Sequence, residues 1–487
     1  MKRLPYTLLF VVLALCSACN DWLDVNPRSQ IKGEELYESE DGFKKALNGV
    51  YISIAEQTLY GRQTTMYVND ALAHLWKDPA LNTDVLYALN RFDYTHQSVE
   101  PNFSSIFLKY YNAIAQLNDL LKNLDEHPEV TFRYNNDKLL RGEALGLRAF
   151  LHLDVLRMFG PMPQTATDGT DAIPYVTEIT NDPSKLISKT WGEVFTLMEK
   201  DLLDAKAILE EFDPAVTNTM KQLEDTYYIG TEGFPEDEWQ YFRHGRFNYY
   251  AVLGTLARMY HWKGDKTQAA DYARQVIESE KFPLTTEATL TTSGSNLVMY
   301  DEHLFDIDNP DLQEIVEPLF STQTASLNQD EAALDVAYES DIHNSDIRYQ
   351  NNRYWETVIY QQNVITHFRK YTGNNTNSSS NRVPLLRSVE MYFILMEDAP
   401  IAELNTWLEP YIVARSLTKT AIDGTLTTEN EIVSFLENEY RKEFYGEGQL
   451  FYFYKRHGYT AYTWPSAYTL PQNALVVPKP DGLTDFE

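Results

Sequence analysis

Three kinds of side chain in this sequence could do chemistry: carboxylates, histidines and a large set of aromatic rings. Asp and Glu together number 71, so carboxylate pairs arise everywhere by chance. Glycoside hydrolysis needs two carboxyls about 5–10 Å apart, one with a raised pKa, and no spacing in the sequence singles out such a pair. There is no phosphate-binding loop, no Gly-x-Ser-x-Gly and no Gly-x-Gly-x-x-Gly. The residues call for no cofactor, and the chain reads as non-enzymatic. His303, Asp306, Asp308 and Asp311 could gather around calcium. However, Pro310 falls where a calcium loop would place a ligand, and no glycine turn follows. A solvated acidic loop is the better reading, and no metal site is assigned. His244, His261 and His367 lack metal-ligand spacing and read as core or surface residues.

The aromatic surplus is more informative: 33 Tyr and 8 Trp. A flat ring with a polar tip matches the apolar C–H face of a sugar, while neighbouring amides take its hydroxyls. Rings at helical spacing, such as Tyr110, Tyr249 and Tyr260, read as core. Rings in loop-like stretches are the better ligand candidates: Tyr60, Trp76, Tyr94, Trp239, Tyr300, Tyr354 and Trp355.

Charge and cysteine usage narrow the partners. The formal net charge is −30, more negative still without Lys2 and Arg3, so phosphate backbones and anionic lipid heads are repelled. Nucleic acid is excluded as a partner, and a neutral sugar or peptide is not. The only cysteines are Cys16 and Cys19. Lys2 and Arg3 precede an apolar run over residues 7–15, then Ser17 and Ala18, which is the pattern of a secretory signal. The run is shorter than the about 20 residues that span a bilayer. Cys19 follows the small pair and leads into polar residues, as in a bacterial lipobox, although Cys16 stands where Leu is usual. We expect a signal peptide over residues 1–18 and lipidation of Cys19, so that the membrane is met through a lipid anchor only. Plain secretion with cleavage near Ala18 is the alternative.

The elements that must position the rings are mostly helical. Residues 19–35 read as the lipidated Cys and its tether. Apolar residues recur at three- and four-residue steps within 33–61 and over 103–124, 137–159 and 188–212. Residues 246–280 form a hairpin with its hinge at Lys263, Gly264 and Asp265. There Ala257 faces Ala269 and Ala273, and Tyr260 fills the space between. Small-large-small spacing of this kind is that of a degenerate tetratricopeptide repeat. Residues 284–383 are rich in Thr, Asn, Asp and Gly and read as loops, with 373–381 a polar linker. Helices return over 384–397, 401–417, 428–443 and 448–457. The tail, 464–487, reads as extended. We divide the chain into a helical-repeat region, 36–283, and a loop-and-helix region, 284–487, forming one compact unit.

Five ordered motifs resemble the SusD/RagB family of Bacteroidetes outer-membrane lipoproteins. They are Cys19 to Pro27, Arg148 to Pro163, the hairpin segments 257–265 and 269–277, Val383 to Tyr392, and Arg441 to Gly458. Gln449 to Phe453 depart from the family pattern, which leaves the ligand open. The resemblance implies a mostly α, SusD-like fold of tetratricopeptide-type hairpins carrying a loop-rich ligand face. It implies a surface-exposed lipoprotein of the cell outer membrane that captures oligosaccharides and hands them to a SusC-like TonB-dependent receptor. It places ligand contacts before the first repeat helix and in the long loops after the second. Tyr94 and Asn102, and Tyr300, Asn351, Tyr354 and Trp355 with Asn352 beside them, fall in those regions and are the candidates there; Trp76 joins them as a loop ring. A peptide-binding RagB-type lipoprotein, a scaffold that binds only proteins, and a degradative enzyme are the alternatives.

Overall fold

A computed structural model of the chain describes residues 36–79, 81–179, 186–292, 296–321, 326–350, 353–360, 363–372 and 381–480. Cys19, the leader and tether, Asn351, Asn352 and most of the polar linker lie outside the described residues.

The N-terminal half is a succession of antiparallel helices, each packed on the one before. Helix α1, Glu40–Ala55, starts where the Ser39 side chain accepts from the Gly42 amide, with Glu40 and Asp41 against the positive end of the helix dipole. Its Phe43, Leu47, Val50 and Ile54 form one buried stripe. Helices α2, Glu100–Glu126, and α3, Asn136–Phe159, pack together as a first hairpin. The second half of α3 is buried all round, from Leu147 to Phe159. Gly146 makes that possible: a Cβ there would stand 2.7 Å from the Phe247 ring. Helix α4, Trp191–Phe212, opens on a reciprocal cap between Thr190 and Glu193.

Helices α5, Tyr249–Lys263, and α6, Lys266–Glu278, are the second hairpin. Gly264 closes α5 at φ 87°, the left-handed conformation that only glycine adopts without strain. Ala257, Ala269 and Ala273 are fully buried between the two helices, as their spacing implies. Tyr260 stacks on Tyr272 with centroids 5.7 Å apart. Tyr110, Tyr249 and Tyr260 are all core residues.

Residues 284–383 contain regular structure that periodicity did not announce. Strand β1, His303–Asp308, is followed by helix α7, Glu331–Tyr338, and by the hairpin of β2, Trp355–Tyr360, with β3, Asn363–Phe368. Strand β4, Arg382–Arg387, pairs antiparallel with β1, so the expected helix over 384–397 begins only at Ser388. The first five residues of β1 are buried, which erases the apolar-polar alternation of a half-exposed strand. The stretch expected to be a solvated acidic loop is therefore interior at His303 and Asp306 and exposed at Asp308 and Asp311. Asp306 is fully buried, and its carboxylate accepts from His303 Nδ1 at 2.8 Å and Arg382 at 2.9 Å.

The C-terminal helices are α8, Ser388–Asp398, α9, Leu404–Arg415, α10, Glu429–Glu443, and α11, Gln449–His457. Helix α8 packs on α5 and α6, and α11 packs on the short helix Val68–Leu72, so the two halves interlock. A buried ion network holds this region. Glu443 accepts from Arg348 at 3.0 Å, Arg387 at 2.8 Å and Arg415 at 2.8 Å, and Glu302 accepts from Arg387 and Arg415. Burial alone would raise the Glu443 carboxyl, but the charges of Arg415, Arg387 and Arg348 bring it well below the usual carboxylate range. The buried Lys455 amine donates to Met158 O at 3.0 Å and Gly160 O at 2.8 Å, tying α11 to the end of α3. Two short strands, β5, Ala461–Tyr462, and β6, Tyr468–Thr469, then form a small hairpin.

Candidate functional site

The run Asn90 to Tyr94 leads from the short helix Val85–Leu89 toward α2, and the tail after β6 crosses it. Between them lies a cleft of about 470 Å³ lined by Phe92, Tyr94, Gln472, Asn473, Val476 and Pro478, among others. That is the size range of small-ligand sites. Tyr94 is half-buried and its hydroxyl donates to Ala474 O at 2.5 Å. Its ring rests edge-on against Phe103, centroids 5.3 Å apart. Gln472 and Asn473 are exposed and bring free amide donors and acceptors to the rim.

Behind the cleft stands an aromatic cluster. His74 stacks on Phe92, and both Tyr462 and Tyr468 set their rings against His74 at 5.1 and 4.8 Å. His74 Nε2 donates to Asn90 O at 2.7 Å. Burial brings the His74 imidazole down to about 4, against the pull of that carbonyl, so the ring is neutral at neutral pH. Asn90 donates to Asp78 at 2.9 Å, and Asp78 is held by both terminal nitrogens of Arg91 at 3.0 and 2.9 Å. The Arg91 guanidinium, which also lowers the Asp78 carboxyl, lies 3.4 Å over the Tyr87 ring. His74, Phe92 and Asn473 are three of the ten non-glycine residues with positive φ among the described residues, at 58°, 56° and 60°. Backbone of this kind is costly and gathers where a binding surface must be held in shape.

Of the residues expected to touch ligand, the structure brings Tyr94 to this cleft, with Asn102 in the first turn of α2 nearby. Asn102 spends its amide on Ser98 O at 2.9 Å. The other described candidates lie elsewhere and inside. Trp76 is 1% exposed, donates to Met66 O at 2.8 Å, and is walled in by Phe320, Trp355, Phe368 and Tyr445. Trp355 shares that cluster, and Tyr354 packs beside Phe368 with Lys370 over its ring. Tyr300 is buried against His244 and donates to Glu224, whose carboxyl burial raises to about 7. Tyr60 donates to Asp154 at 2.6 Å from the core. Trp239 is half-buried between Lys44 and Arg246. A ring enclosed on every side has no face to offer a sugar, so the expectation for Trp76, Tyr300, Tyr354 and Trp355 is corrected to core packing.

Asp78, Arg91, Phe92, Tyr468, Gln472 and Asn473 were not singled out from the sequence. The signal for Arg91 and Phe92 was slight: Asn, Asp and Arg interleaved with rings over 90–94. The tail residues were hidden because an extended, proline-bracketed segment shows no periodicity that would say what it crosses.

Other hollows fit a small ligand less well. One of about 660 Å³ lies at the start of α4 between Lys189, Glu193, Thr196 and Lys263, with no aromatic wall. Another of about 510 Å³ lies between α6 and α8 and is lined by side chains such as Arg274, Glu397 and Glu403. Among the described residues, His261, Glu397 and Asp398 come close enough together to hold a metal ion. Glu397 is gripped by both terminal nitrogens of Arg456 at 2.7 and 2.6 Å, which opposes a second cation. No helix among the described residues is long and apolar enough to cross a membrane.

Comparison with known proteins agrees with this architecture. A SusD-like family model, described as starch-binding associating with outer membrane, matches residues 21–261. The SusD-like protein P25 of Formosa agariphila is 24% identical over 153 residues, which is 30% of this chain and 28% of that protein. The SusD-like protein P38 of the same organism is 25% identical over 166 residues, 33% and 30% of the two chains. Each match thus spans less than a third of the relative. A SusD superfamily protein from Bacteroides thetaiotaomicron has the same fold, with a TM-score of 0.69 at 18% identity over 91% of this chain and 97% of that one. A SusD-like carbohydrate binding protein from Bacteroides vulgatus gives 0.67 at 18% identity over 92% and 96%. The family model over residues 21–261 and the shared helical fold both make the chain similar to SusD-like proteins.

Proposed function

We propose that the chain is a non-enzymatic, surface-exposed lipoprotein of the outer membrane. In this reading it captures an oligosaccharide in the cleft between Tyr94 and the 471–478 segment. It then passes the sugar to a SusC-like TonB-dependent receptor. The observation that carries the reading is the cleft itself. A half-buried tyrosine edge and the Phe92 wall stand beside exposed Gln472 and Asn473 amides, on a backbone bent into positive φ at two of the lining residues. Rings receive the C–H face of a sugar and amides its hydroxyls. The net charge of −30 suits a neutral ligand, and the matched family is described as starch-binding. Asn102 stands one turn into α2 from the Tyr94 side and is a further proposed contact. Lipidation of Cys19 would tether the protein at one end of a short polar leash.

Calorimetry against panels of oligosaccharides and peptides tests this. Binding to a glycan is expected, with Gln472→Ala and Tyr94→Ala each weakening it about tenfold, the loss of roughly 1.4 kcal/mol. Binding to peptides alone would favour the RagB-type alternative, and binding to neither a protein scaffold. New reducing ends in the incubated glycan would show an enzyme instead. The anchor is tested separately: Cys19→Ser is expected to move the protein from the membrane to the soluble fraction, and a variant that stays on the membrane overturns it.

A further inference from the structure

Apart from the cleft, a small cavity of about 20 Å³ lies where the end of α3, the last turns of α5, the start of α8 and the helix α11 meet. Arg157, Arg258, His261, Trp262, Glu390 and Tyr452 are among its lining residues. All six are more than nine-tenths buried. Four of them carry a buried polar atom with no hydrogen-bond partner: Arg157 Nε, Arg258 Nη1, His261 Nε2 and Trp262 Nε1. Leaving one such group unmet is costly, and four around one void call for an occupant.

The remaining polar atoms of these side chains are fully engaged. Glu390 takes Arg258 through Nε at 2.7 Å and Nη2 at 2.5 Å. Asp154 and Gln449 take the two terminal nitrogens of Arg157 at 3.1 and 2.7 Å. Asp398 takes His261 Nδ1, and Glu397 takes Arg456. Glu390, Asp154 and Asp398 are thus satisfied through nitrogens other than the unmet ones, while Glu397 also stands 3.7 Å from His261 Nε2. What is left to the void is three N–H groups, two of them on guanidiniums and one on the Trp262 indole.

About 10–15 Å³ of such space suffices for one water, so the cavity admits one small occupant. A water accepts two hydrogen bonds and leaves a third N–H unmet. A monatomic anion accepts from every donor and brings no hydrogen that needs an acceptor. A polyatomic anion has no room. We propose that this cavity is a buried chloride site, with Arg157, Arg258 and Trp262 as its ligands. The ion bridges the repeat helices α3 and α5 and, through Glu390, reaches α8. The site is independent of the sugar cleft.

Crystals of the chain grown in sodium bromide test it directly, because bromide scatters anomalously and replaces chloride. One anomalous peak in this cavity is expected, within hydrogen-bond reach of Arg157 Nε, Arg258 Nη1 and Trp262 Nε1. Density there with no anomalous signal means water and overturns the proposal. In solution, the melting temperature is expected to rise with sodium chloride relative to sodium gluconate at matched ionic strength, since gluconate cannot enter. The rise should shrink in Trp262→Phe, which removes one donor and keeps the ring. A wild-type protein that melts alike in both salts also overturns it, whether or not the variant folds.

Discussion

Trp76 and Tyr94 are both rings in stretches that looked like loops, yet the fold uses them differently. Trp76 is the centre of an aromatic cluster that joins the 60–76 segment to β2, β3 and the loop before α11. Tyr94 has one edge in the core and one on a cleft. Trp76→Ala removes a fully enclosed side chain and is expected to cost about 3–5 kcal/mol of stability, read as a fall in the denaturant midpoint, with glycan affinity of the folded fraction kept. A Trp76→Ala protein that is stable and fails to bind would return that ring to the ligand face. This distinction was not legible in the sequence. Burial is decided by which segments fold over a ring, and the residues covering Trp76 come from positions 320, 355, 368 and 445. The motif residues Glu443 and Arg387 were legible as a signature but not as an ion network, for the same reason.

At the scale of elements, the helices announced themselves and the strands did not. Helices α2, α3, α5 and α6 each bury a stripe or a whole surface through spacings of three and four, which a sequence displays directly. Strands β1 and β4 carry buried charged residues, His303, Asp306 and Arg387, at positions where an apolar run would mark a buried strand. The tail segment that completes the cleft has no periodic signal at all. The α5–α6 hairpin gives the element-scale prediction. Gly264 lies at φ 87° with open space where a Cβ would be, so a substitution there meets backbone strain and no clash. Gly264→Val is expected to destabilise by about 1–2 kcal/mol, seen in chemical denaturation, while Gly264→Asn, which tolerates the left-handed region, should lose less. Equal losses for both would mean that the hinge conformation is not what glycine supplies.

For the molecule as a whole, the buried ion network makes stability a function of acidity. Burial opposes ionisation of Glu439, but Lys442 and Arg348 overcome it and hold the carboxyl at about 2, from 4.5 in the unfolded chain. Asp306, with Arg382 and His303 against the same burial, is held at about 2 as well, and Glu397 and Glu443 lie well below their ordinary range. A depressed folded pKa means that between the two values the unfolded chain binds more protons, so stability is complete above about pH 5 and drains away as the pH falls toward 2. For Glu439 alone the shift corresponds to about 3 kcal/mol. Glu224 runs the other way: burial raises it to about 7, so its contribution is present below pH 4.5 and lost as the pH rises through 7. The depressed carboxylates outnumber it, and the melting temperature is expected to fall steeply below pH 5. Glu439→Gln should lower the plateau at pH 7, because Arg348 and Lys442 lose a buried counter-charge, and should flatten the acid limb, because one titrating group is gone. Thermal melts of both proteins from pH 3 to 8 decide it. Parallel acid limbs would place the acid sensitivity outside the network that joins α9, α10 and β4.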